Sequence, residues 1–422
     1  MTALTAAVRL PVTTSRRYLA SASFILLGLI DIVLLGYFAH PGHATFNLSI
    51  SGSGVQIPNV HAPAALVCYV VGAISIALGV MRAFVELERR ARRLSIAGAL
   101  LCFLIALLCW ADAGNSTSLN LVALIQQSFA ASIPLVLGAL AGCMCERSGV
   151  INIAIEGQLL VGAFAAAAIA SELSSLWLGL ISGALAAGLL GLLLAVFAIN
   201  FLVDQIILGV VLNVLALGLT GFLYDRLMVP NPNLNAGNSF NALKIPVLGD
   251  IPIIGPIFFD STIFLYITYA LIIVIQVGLF RTRWGLRVRA VGEHPTAADT
   301  VGIRVLWIRY RNVVLGAMVA GVGGAYLTVG SAGFFSKDIS SGLGFIALAA
   351  MIFGRWTPLG SVAASLLFGF AGTLATVLST LNVPIPSYFL LMAPYVATII
   401  AVAGLVGRVR APAADGKPYV KA

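Results

Sequence analysis

Polar side chains within apolar runs are the residues of this sequence best suited to chemistry. Asn152 and Glu156 are four residues apart, so a helix would place both on one face, and Asn213 lies in another apolar run. A carboxyl group at membrane depth is costly and usually faces a bundle interior or a water-filled cavity. We therefore predict that Asn152, Glu156 and Asn213 line a substrate path. Hydrogen bonding between neighbouring helices is the competing interpretation, above all for Glu156.

A second candidate is the polar loop from Arg281 to Arg311, which lies between two long apolar runs. Within it, Pro295 suits the first turn of a helix, where no N–H is needed. Gly302 suits the left-handed residue just past a helix end. The helix predicted at 293–303 would have about two turns and would not be stable alone. It therefore needs a docking partner, from which it could receive force.

No set of residues has the spacing of an enzyme's catalytic centre or of a metal site. His40, His43 and His61 occur in loop sequence without the helical spacing of metal ligands. The only Gly-Lys dipeptide, Gly416-Lys417, is followed by proline, whereas a Walker A loop requires Ser or Thr there. We predict that the chain is not an enzyme, holds no metal or cofactor, and does not bind ATP itself.

The composition shows what kind of element must position these residues. Hydrophobic residues make up 60% of the 422 residues, charged residues make up 9%, and the mean hydropathy is +1.05. Soluble domains have roughly 25% charged residues. The apolar runs here repeatedly reach the roughly 20 residues that a bilayer crossing requires. The sequence therefore predicts an all-α, polytopic transmembrane helix bundle.

We expect about 12 crossings. They fall near 20–39, 63–83, 94–112, 119–143, 150–171, 175–199, 205–223, 262–280, 312–331, 340–354, 358–380 and 386–407. The tenth, at 340–354, is short and rich in glycine, and we expect a tilted or broken helix that lines a cavity. We include it because both termini are basic and should lie on the same side, which requires an even number of crossings.

The net charge of +9 reports membrane orientation rather than nucleic acid binding. Arginine and lysine are concentrated in alternate loops and near both ends, whereas residues 41–62 contain neither. This is the pattern of cytoplasmic loops rich in positive charge. We predict a multi-pass protein of the cell inner (plasma) membrane with both termini cytoplasmic.

Three stretches of the sequence resemble motifs of a known family. They are Glu146–Gly157 (ERSGVINIAIEG), Arg289–Ile303 with its Arg-Ala-Val-Gly-Glu-His-Pro start and Gly-Ile end, and Gly354–Gly360 (GRWTPLG). From about residue 119 to 407 the chain resembles ABC-importer permeases of the branched-chain amino acid/simple sugar family. The resemblance is strongest to nucleoside-type members. Members of the family often have Asn in the place of His294.

The resemblance implies partners and a role for the loop helix. Such permeases form a two-subunit pore, as a homo- or heterodimer in membrane lipid, above two cytoplasmic ABC ATPases. An extracytoplasmic solute-binding protein, commonly a lipoprotein, delivers the solute. The segment 293–303 would be the coupling helix, seated on an ATPase that alone binds and hydrolyses ATP. The residues implied to contact the ATPase are Gly292, Glu293, His294, Pro295, Ala298 and Gly302.

The sequence also predicts a division of the chain, because the motifs begin only after residue 118. Residues 1–118 would form an N-terminal three-helix transmembrane extension, to which the resemblance assigns no function. Residues 119–410 would form the permease core, and residues 411–422 a disordered cytoplasmic tail.

The predicted function is a permease subunit of an ATP-driven importer for nucleosides or related small polar solutes. Nucleosides are neutral and polyhydroxylated, so a few amide or carboxyl groups would suffice to bind them. Simple sugars fit the same sparse polarity, and a simple-sugar ABC permease is the alternative. A secondary transporter driven by an ion gradient would explain the crossings and buried carboxylates. It would leave the capped loop helix unexplained.

Overall fold

The computed structural model describes residues 14–38, 42–49, 57–114, 118–381, 383, 389, 392 and 410–420. Within these residues, ten helical stretches are long and apolar enough to cross a membrane. They are Arg17–Tyr37, Ala64–Phe84, Arg90–Asp112, Leu121–Glu146, Ile155–Glu172, Leu176–Asn200, Gln205–Met228, Ile263–Arg281, Val305–Ala332 and Pro358–Thr380. The predicted all-α polytopic bundle is confirmed. The crossing predicted at 386–407 lies outside the described residues, apart from two single positions.

The chain divides into two compact units. The first comprises Met1–Val122 with Leu378–Ile385, and the second comprises Ala123–Val377 with Pro386–Ala422. The boundary predicted from the sequence lies between residues 118 and 119. Each unit is described below by itself.

The first unit contains three long helices and a small sheet. The helices are α1 (Thr14–Ile30, continued by a π-helical turn over Asp31–Tyr37), α2 (Ala64–Phe84) and α3 (Arg89–Asp112). The strands are β1 (His43–Asn47), β2 (Val60–Pro63) and β3 (Leu119–Asn120). Strand β1 pairs antiparallel with β2 and parallel with β3. Helices α1 and α2 approach closely, since a Cβ at Gly72 would lie 2.9 Å from the carbonyl oxygen of Gly28.

Among its described residues, the second unit contains the other helices and a two-stranded antiparallel sheet. Its long helices are α4 (Leu121–Glu146), α5 (Ile155–Glu172), α6 (Leu176–Ala195), α7 (Gln205–Leu223), α9 (Ile263–Arg281), α12 (Val305–Ala325) and α14 (Pro358–Thr380). Its short helices are α8 (Ile254–Phe258), α10 (Arg283–Glu293), α11 (Pro295–Thr300) and α13 (Leu343–Phe353). The strands β4 (Leu243–Lys244) and β5 (Asp260–Ser261) pair antiparallel.

Small residues bring α5, α6 and α12 together at the centre of this unit. A Cβ at Gly321 of α12 would lie 2.5 Å from the carbonyl oxygen of Gly183 in α6. A Cβ at Gly183 would in turn lie 2.7 Å from the carbonyl oxygen of Gly162 in α5. Glycine allows this approach because it has no side chain to separate the backbones. The three helices thus form a closely packed frame for the interruptions described next.

Two interruptions in this frame position the polar residues. Non-helical chain over residues 147–154 separates α4 from α5, and a loop over 333–342 precedes α13. Helix α13 has 11 residues, which gives about 16 Å at 1.5 Å per residue, too short for a hydrocarbon core of roughly 30 Å. The short helix predicted at 340–354 is therefore confirmed, with its start at Leu343.

The segment 410–420 differs from the sequence prediction. Residues 411–422 were expected to be disordered, but residues up to 420 are placed against the second unit, where Ala414 and Tyr419 are buried. The N–H of Ala414 donates to the carbonyl oxygen of Gly292 at 2.9 Å. The sequence did not indicate this order, because the segment's partners lie far away along the chain.

Candidate functional site

The segment between α4 and α5 enters the bundle as non-helical chain. The N–H of Ile151 donates to Oε1 of Gln205, the first residue of α7, at 2.8 Å. The carbonyl oxygen of Ile153 accepts from Nδ2 of Asn213 at 2.9 Å. These two α7 residues are eight positions apart, which is about 12 Å of helix. Non-helical backbone at such depth needs protein partners, and the two amide side chains supply them.

Asn213 also holds the start of α5. Its Oδ1 accepts from the N–H of Gly157 at 2.8 Å, while its Nδ2 binds Ile153. Gly157 has no room for a side chain, since a Cβ there would lie 2.9 Å from the Cβ of Ala216. Asn213 therefore joins α7 to the chain on both sides of the helix start.

Asn152 forms a reciprocal amide pair with Gln158. The Nδ2 of Asn152 donates to Oε1 of Gln158 at 3.0 Å, and Nε2 of Gln158 donates to Oδ1 of Asn152 at 3.1 Å. Both side chains are fully buried. The expectation that Asn152 shares a helix face with Glu156 is wrong, because α5 begins only at Ile155. Asn152 instead closes the non-helical chain onto the first turn of α5.

Glu156 joins the two interruptions. Its Oε1 accepts from Oγ of Ser340 at 2.6 Å and from the N–H of Gly342 at 2.8 Å. Its Oε2 accepts from the N–H of Gly344 at 2.6 Å. Gly342 is the N-cap residue of α13 and has the left-handed φ of +83°. The carboxylate of Glu156 thus caps a helix other than its own.

Two helix N-termini converge on this one carboxylate. Glu156 lies in the first turn of α5 and binds the first turn of α13. The first N–H groups of a helix have no partner within it, and the positive end of the helix dipole favours a negative charge. Gly344 is required for the approach, since a Cβ there would lie 2.5 Å from the Cα of Glu156. The arrangement stabilises a carboxylate and holds α13 against α5.

The three residues predicted to line a substrate path therefore border the two interruptions. Asn152 is fully buried, whereas Glu156 and Asn213 retain 8% and 9% exposure. Each has hydrogen-bond partners within the chain, as the competing interpretation expected. Gln158 and Ser340 also belong to this network, although neither was predicted from the sequence. Each is a polar residue close to a glycine-containing interruption, and this position is the sequence feature that could have identified them.

The helix predicted in the loop 281–311 is present as α11, with the proline start and glycine end expected from the sequence. Pro295 is its first residue, and His294 is its N-cap. Nδ1 of His294 accepts from the N–H of Ala297 at 3.3 Å and lies 2.9 Å from Oγ1 of Thr296. Gly302 has a left-handed φ of +81°. The helix itself covers six residues, Pro295–Thr300, rather than the whole of 293–303. His294 performs the capping role for which Asn is well suited.

Helix α11 presents most of its surface outward. Ala298 is buried, whereas Glu293, His294 and Gly302 are exposed, and Val301 is 73% exposed. Exposed arginines flank the helix on both sides in sequence. They are Arg281, Arg283, Arg287, Arg304 and Arg311. Helix α11 is thus a short exposed helix between positively charged stretches of the chain, which suits it to contact with another protein.

Gly292 lies two residues before His294, the cap of α11, and packs directly on the turn that follows α4. A Cβ at Gly292 would overlap the carbonyl oxygen of Arg147 and would lie 3.5 Å from the nitrogen of Gly149. Only glycine fits in this contact. The end of α10 is thereby seated on the same stretch of chain that enters the bundle at Ile151.

The same turn is anchored to the chain between α13 and α14. Nε of Arg147 donates to the carbonyl oxygen of Trp356 at 2.7 Å, and the indole N–H of Trp356 donates to Oε2 of Glu146. Arg355 and Trp356 have left-handed φ values of +57° and +53°, which is a costly conformation for residues other than glycine. Burial lowers the pKa of the Arg147 guanidinium, although arginine stays charged in proteins.

All three sequence motifs therefore meet around residues 146–149. Spans interrupted around buried polar groups are typical of membrane transport proteins. The family model described as "Branched-chain amino acid transport system / permease component" matches residues 124–406. The chain belongs to this family of permease components and is an integral membrane protein.

Known relatives refine the comparison. The chain is 41% identical over 297 residues to the guanosine ABC transporter permease protein NupQ of Bacillus subtilis, covering 68% of this chain and 93% of the relative. It is 40% identical over 303 residues to the nucleoside ABC transporter permease protein NupC of Lactococcus lactis, covering 69% and 94%. The putative glucose ABC transporter permease protein TsgC13 of Haloferax volcanii is 30% identical over 255 residues, covering 60% and 76%. No solved structure matches the chain.

Proposed function

We propose that this chain is the membrane-spanning permease subunit of an ATP-driven importer for nucleosides. The substrate class is supported by the relatives named for guanosine and nucleosides, at 41% and 40% identity, against 30% for the relative named for glucose. The transport role is supported by one observation above all. The contact of Gly292 with Arg147 links the exposed helix α11 to the interrupted chain that enters the bundle.

In this proposal, α11 is the coupling helix and faces the cytoplasm. A cytoplasmic ABC ATPase binds Glu293, His294 and the exposed side of α11, and ATP is bound and hydrolysed only there. A second permease subunit completes the pore, and an extracytoplasmic solute-binding lipoprotein delivers the nucleoside. Both termini lie in the cytoplasm, in agreement with the exposed arginines around α11 and the positive-inside rule.

Movement would pass from α11 to the bundle through contacts already described. Closure of the ATPases displaces α11, and Gly292 pushes on the turn at Arg147. That turn continues into the chain held by Gln205 and Asn213, which leads to the carboxylate of Glu156. Because Glu156 binds the first turn of α13, its movement would shift α13 relative to α5. Such small rigid shifts of packed helices are a common way for proteins to switch between two states.

The substrate path would run along the two interruptions. Hydroxyl and amide groups of a nucleoside need hydrogen-bonding partners without strong charge, and amide side chains with a capped carboxylate provide these. Glu156 and Asn213 keep a small exposed fraction, so their residual surface would face the path. Asn152 is fully buried and would shape the wall from behind.

The test is uptake by proteoliposomes that contain this chain with its ATPase, its second permease and its binding protein. ATP-dependent accumulation of guanosine, with no accumulation of glucose, would support the proposal. Accumulation of glucose instead would support the sugar permease alternative. Guanosine uptake driven by an ion gradient in liposomes that contain this chain alone would support the secondary transporter and contradict the proposal.

A further inference from the structure

The segment 410–420 contacts the chain immediately before the coupling helix. The N–H of Ala414 donates to the carbonyl oxygen of Gly292 at 2.9 Å. The N–H of Ala413 donates to Oε2 of Glu293 at 3.2 Å. Burial and the nearby side chain of Asp299 in α11 raise the pKa of the Tyr419 phenol. The segment is therefore attached to the chain just before α11.

The same segment is also attached to the membrane bundle. Nη1 of Arg309, in α12, donates to the carbonyl oxygen of Lys417 at 3.0 Å. Gly416 has a left-handed φ of +71°, and a Cβ there would lie 2.6 Å from Cδ1 of Ile151. Ile151 belongs to the non-helical chain that enters the bundle. The segment therefore bridges the two parts of the unit that the proposed coupling must connect.

Buried polar groups lie at the centre of this bridge. Arg309 is 1% exposed, and its charge attracts the carboxyl group of Asp415. Asp415 also lies close enough to the carboxyl group of Glu146 for the two groups to affect each other's ionisation. A buried arginine needs a nearby acceptor or anion. The segment supplies an acceptor to Nη1 of Arg309, the carbonyl oxygen of Lys417.

A six-residue helix cannot transmit force by its own rigidity. Isolated helices shorter than about 12 residues are marginal in water, and α11 has one buried residue, Ala298. His294 joins it to α10, the chain around Gly302 joins it to α12, and Ala298 packs in the core. Further attachments are needed for α11 to move together with the bundle rather than independently of it.

We propose that residues 410–420 form a strap that fixes the coupling helix to the membrane bundle, so that movement of one moves the other. This inference rests on the proposed coupling function of α11. Ala413, Ala414 and Tyr419 are positioning residues in this strap, whereas Arg309 anchors it to α12. Without the strap, the ATPase would still bind α11, but hydrolysis would be poorly converted into transport.

The first arm of the test examines the strap in the full chain alone, in lipid nanodiscs. Ala414→Pro removes the N–H that binds Gly292, and Tyr419→Phe removes only the hydroxyl whose pKa Asp299 raises. Ala411→Pro is the matched control, because the N–H of Ala411 donates no hydrogen bond among the described residues. Hydrogen exchange over 293–303 should be about tenfold faster in Ala414→Pro than in Ala411→Pro. Equal exchange in all variants would overturn the strap.

The second arm examines coupling in the reconstituted complex. ATP hydrolysis and nucleoside uptake are measured together for the same variants. We expect Ala414→Pro to keep ATPase binding and hydrolysis while the nucleoside transported per ATP falls by about tenfold, within the usual range of coupling between sites. Tyr419→Phe should show a smaller fall, and Ala411→Pro none. An unchanged ratio in Ala414→Pro would overturn the positioning role.

The two arms separate the inference from the function on which it rests. If the unaltered complex neither binds an ATPase nor transports a nucleoside, the proposed function fails. The exchange experiment still decides whether the segment restrains residues 293–303. If the unaltered complex transports and the exchange is unaffected by Ala414→Pro, the strap fails while the proposed function stands.

Discussion

The carboxylate of Glu156 lies 2.6 Å from the backbone nitrogen of Gly344, so one side chain joins the first turn of α5 to the first turn of α13. These glycine and glutamate residues are 188 positions apart in the chain. Both helices begin at interruptions, where their first N–H groups lack partners within the helix. A single carboxylate therefore stabilises both interruptions, and its loss should affect folding and transport together.

Replacement of Glu156 by glutamine should destabilise the bundle. Glutamine would place an NH2 group where a carboxylate oxygen now accepts a hydrogen bond, so one N–H donor would lose its acceptor. Leaving one buried donor unsatisfied costs about 1–3 kcal/mol. We expect a lower thermal unfolding temperature in detergent and a loss of uptake. Glu172→Gln, at the exposed end of α5, is the matched control. A Glu156→Gln variant as stable as this control would contradict the capping role.

Replacement of Asn213 by alanine should loosen the chain that precedes α5. It would leave the N–H of Gly157 and the carbonyl of Ile153 without their partner, each at a cost of about 1–3 kcal/mol if buried. Hydrogen exchange over 150–158 should increase. Val214→Ala, on the exposed side of the same helix, should have little effect. Equal exchange in the two variants would show that Asn213 does not hold the interruption.

The cap of the coupling helix should tolerate one substitution and not another. His294→Asn keeps a side-chain acceptor at the N-cap, whereas His294→Ala removes it, at a typical cost of about 1 kcal/mol. We expect His294→Ala to expose the amides of α11 to faster exchange and to lower uptake. His294→Asn should behave like the unaltered chain. Equal effects of the two changes would mean that the imidazole has another role.

The docking of the strap should depend on pH through Asp415. Burial raises the pKa of Asp415 to about 6 from its ordinary value of 3.8. The docked state therefore binds a proton that the released state gives up, so docking weakens as the pH rises from about 4 through about 6. Protection factors over 410–420 should be higher at pH 5 than at pH 7.5. Asp415→Asn should remove this difference, and a variant that retains it would exclude Asp415 as the cause.

Local signals made part of this structure predictable from the sequence. The apolar runs predicted the bundle, and Pro295 with Gly302 predicted a short helix, because capping depends on residues close in sequence. The glycine-rich run predicted the short helix near 340–354. These features require no knowledge of distant partners.

The remaining features depend on contacts between distant residues. Asn152 was placed on a helix face because its spacing from Glu156 fits a helix, but Gln205 and Asn213 hold that chain in a non-helical form. The segment 411–422 was expected to be disordered, yet Gly292 and Arg309 bind its described residues. A single sequence does not show such partners.

The most direct measurement compares Gly292→Ala with the unaltered chain in the reconstituted complex. The added methyl group would overlap the carbonyl oxygen of Arg147 and separate the coupling segment from the bundle. Gly218→Ala is the matched control, since a Cβ at Gly218 meets no atom within 4 Å. We predict that Gly292→Ala retains ATPase binding and loses ATP-dependent nucleoside uptake, while Gly218→Ala transports normally. Normal uptake by Gly292→Ala would contradict the proposed coupling through Gly292 and Arg147.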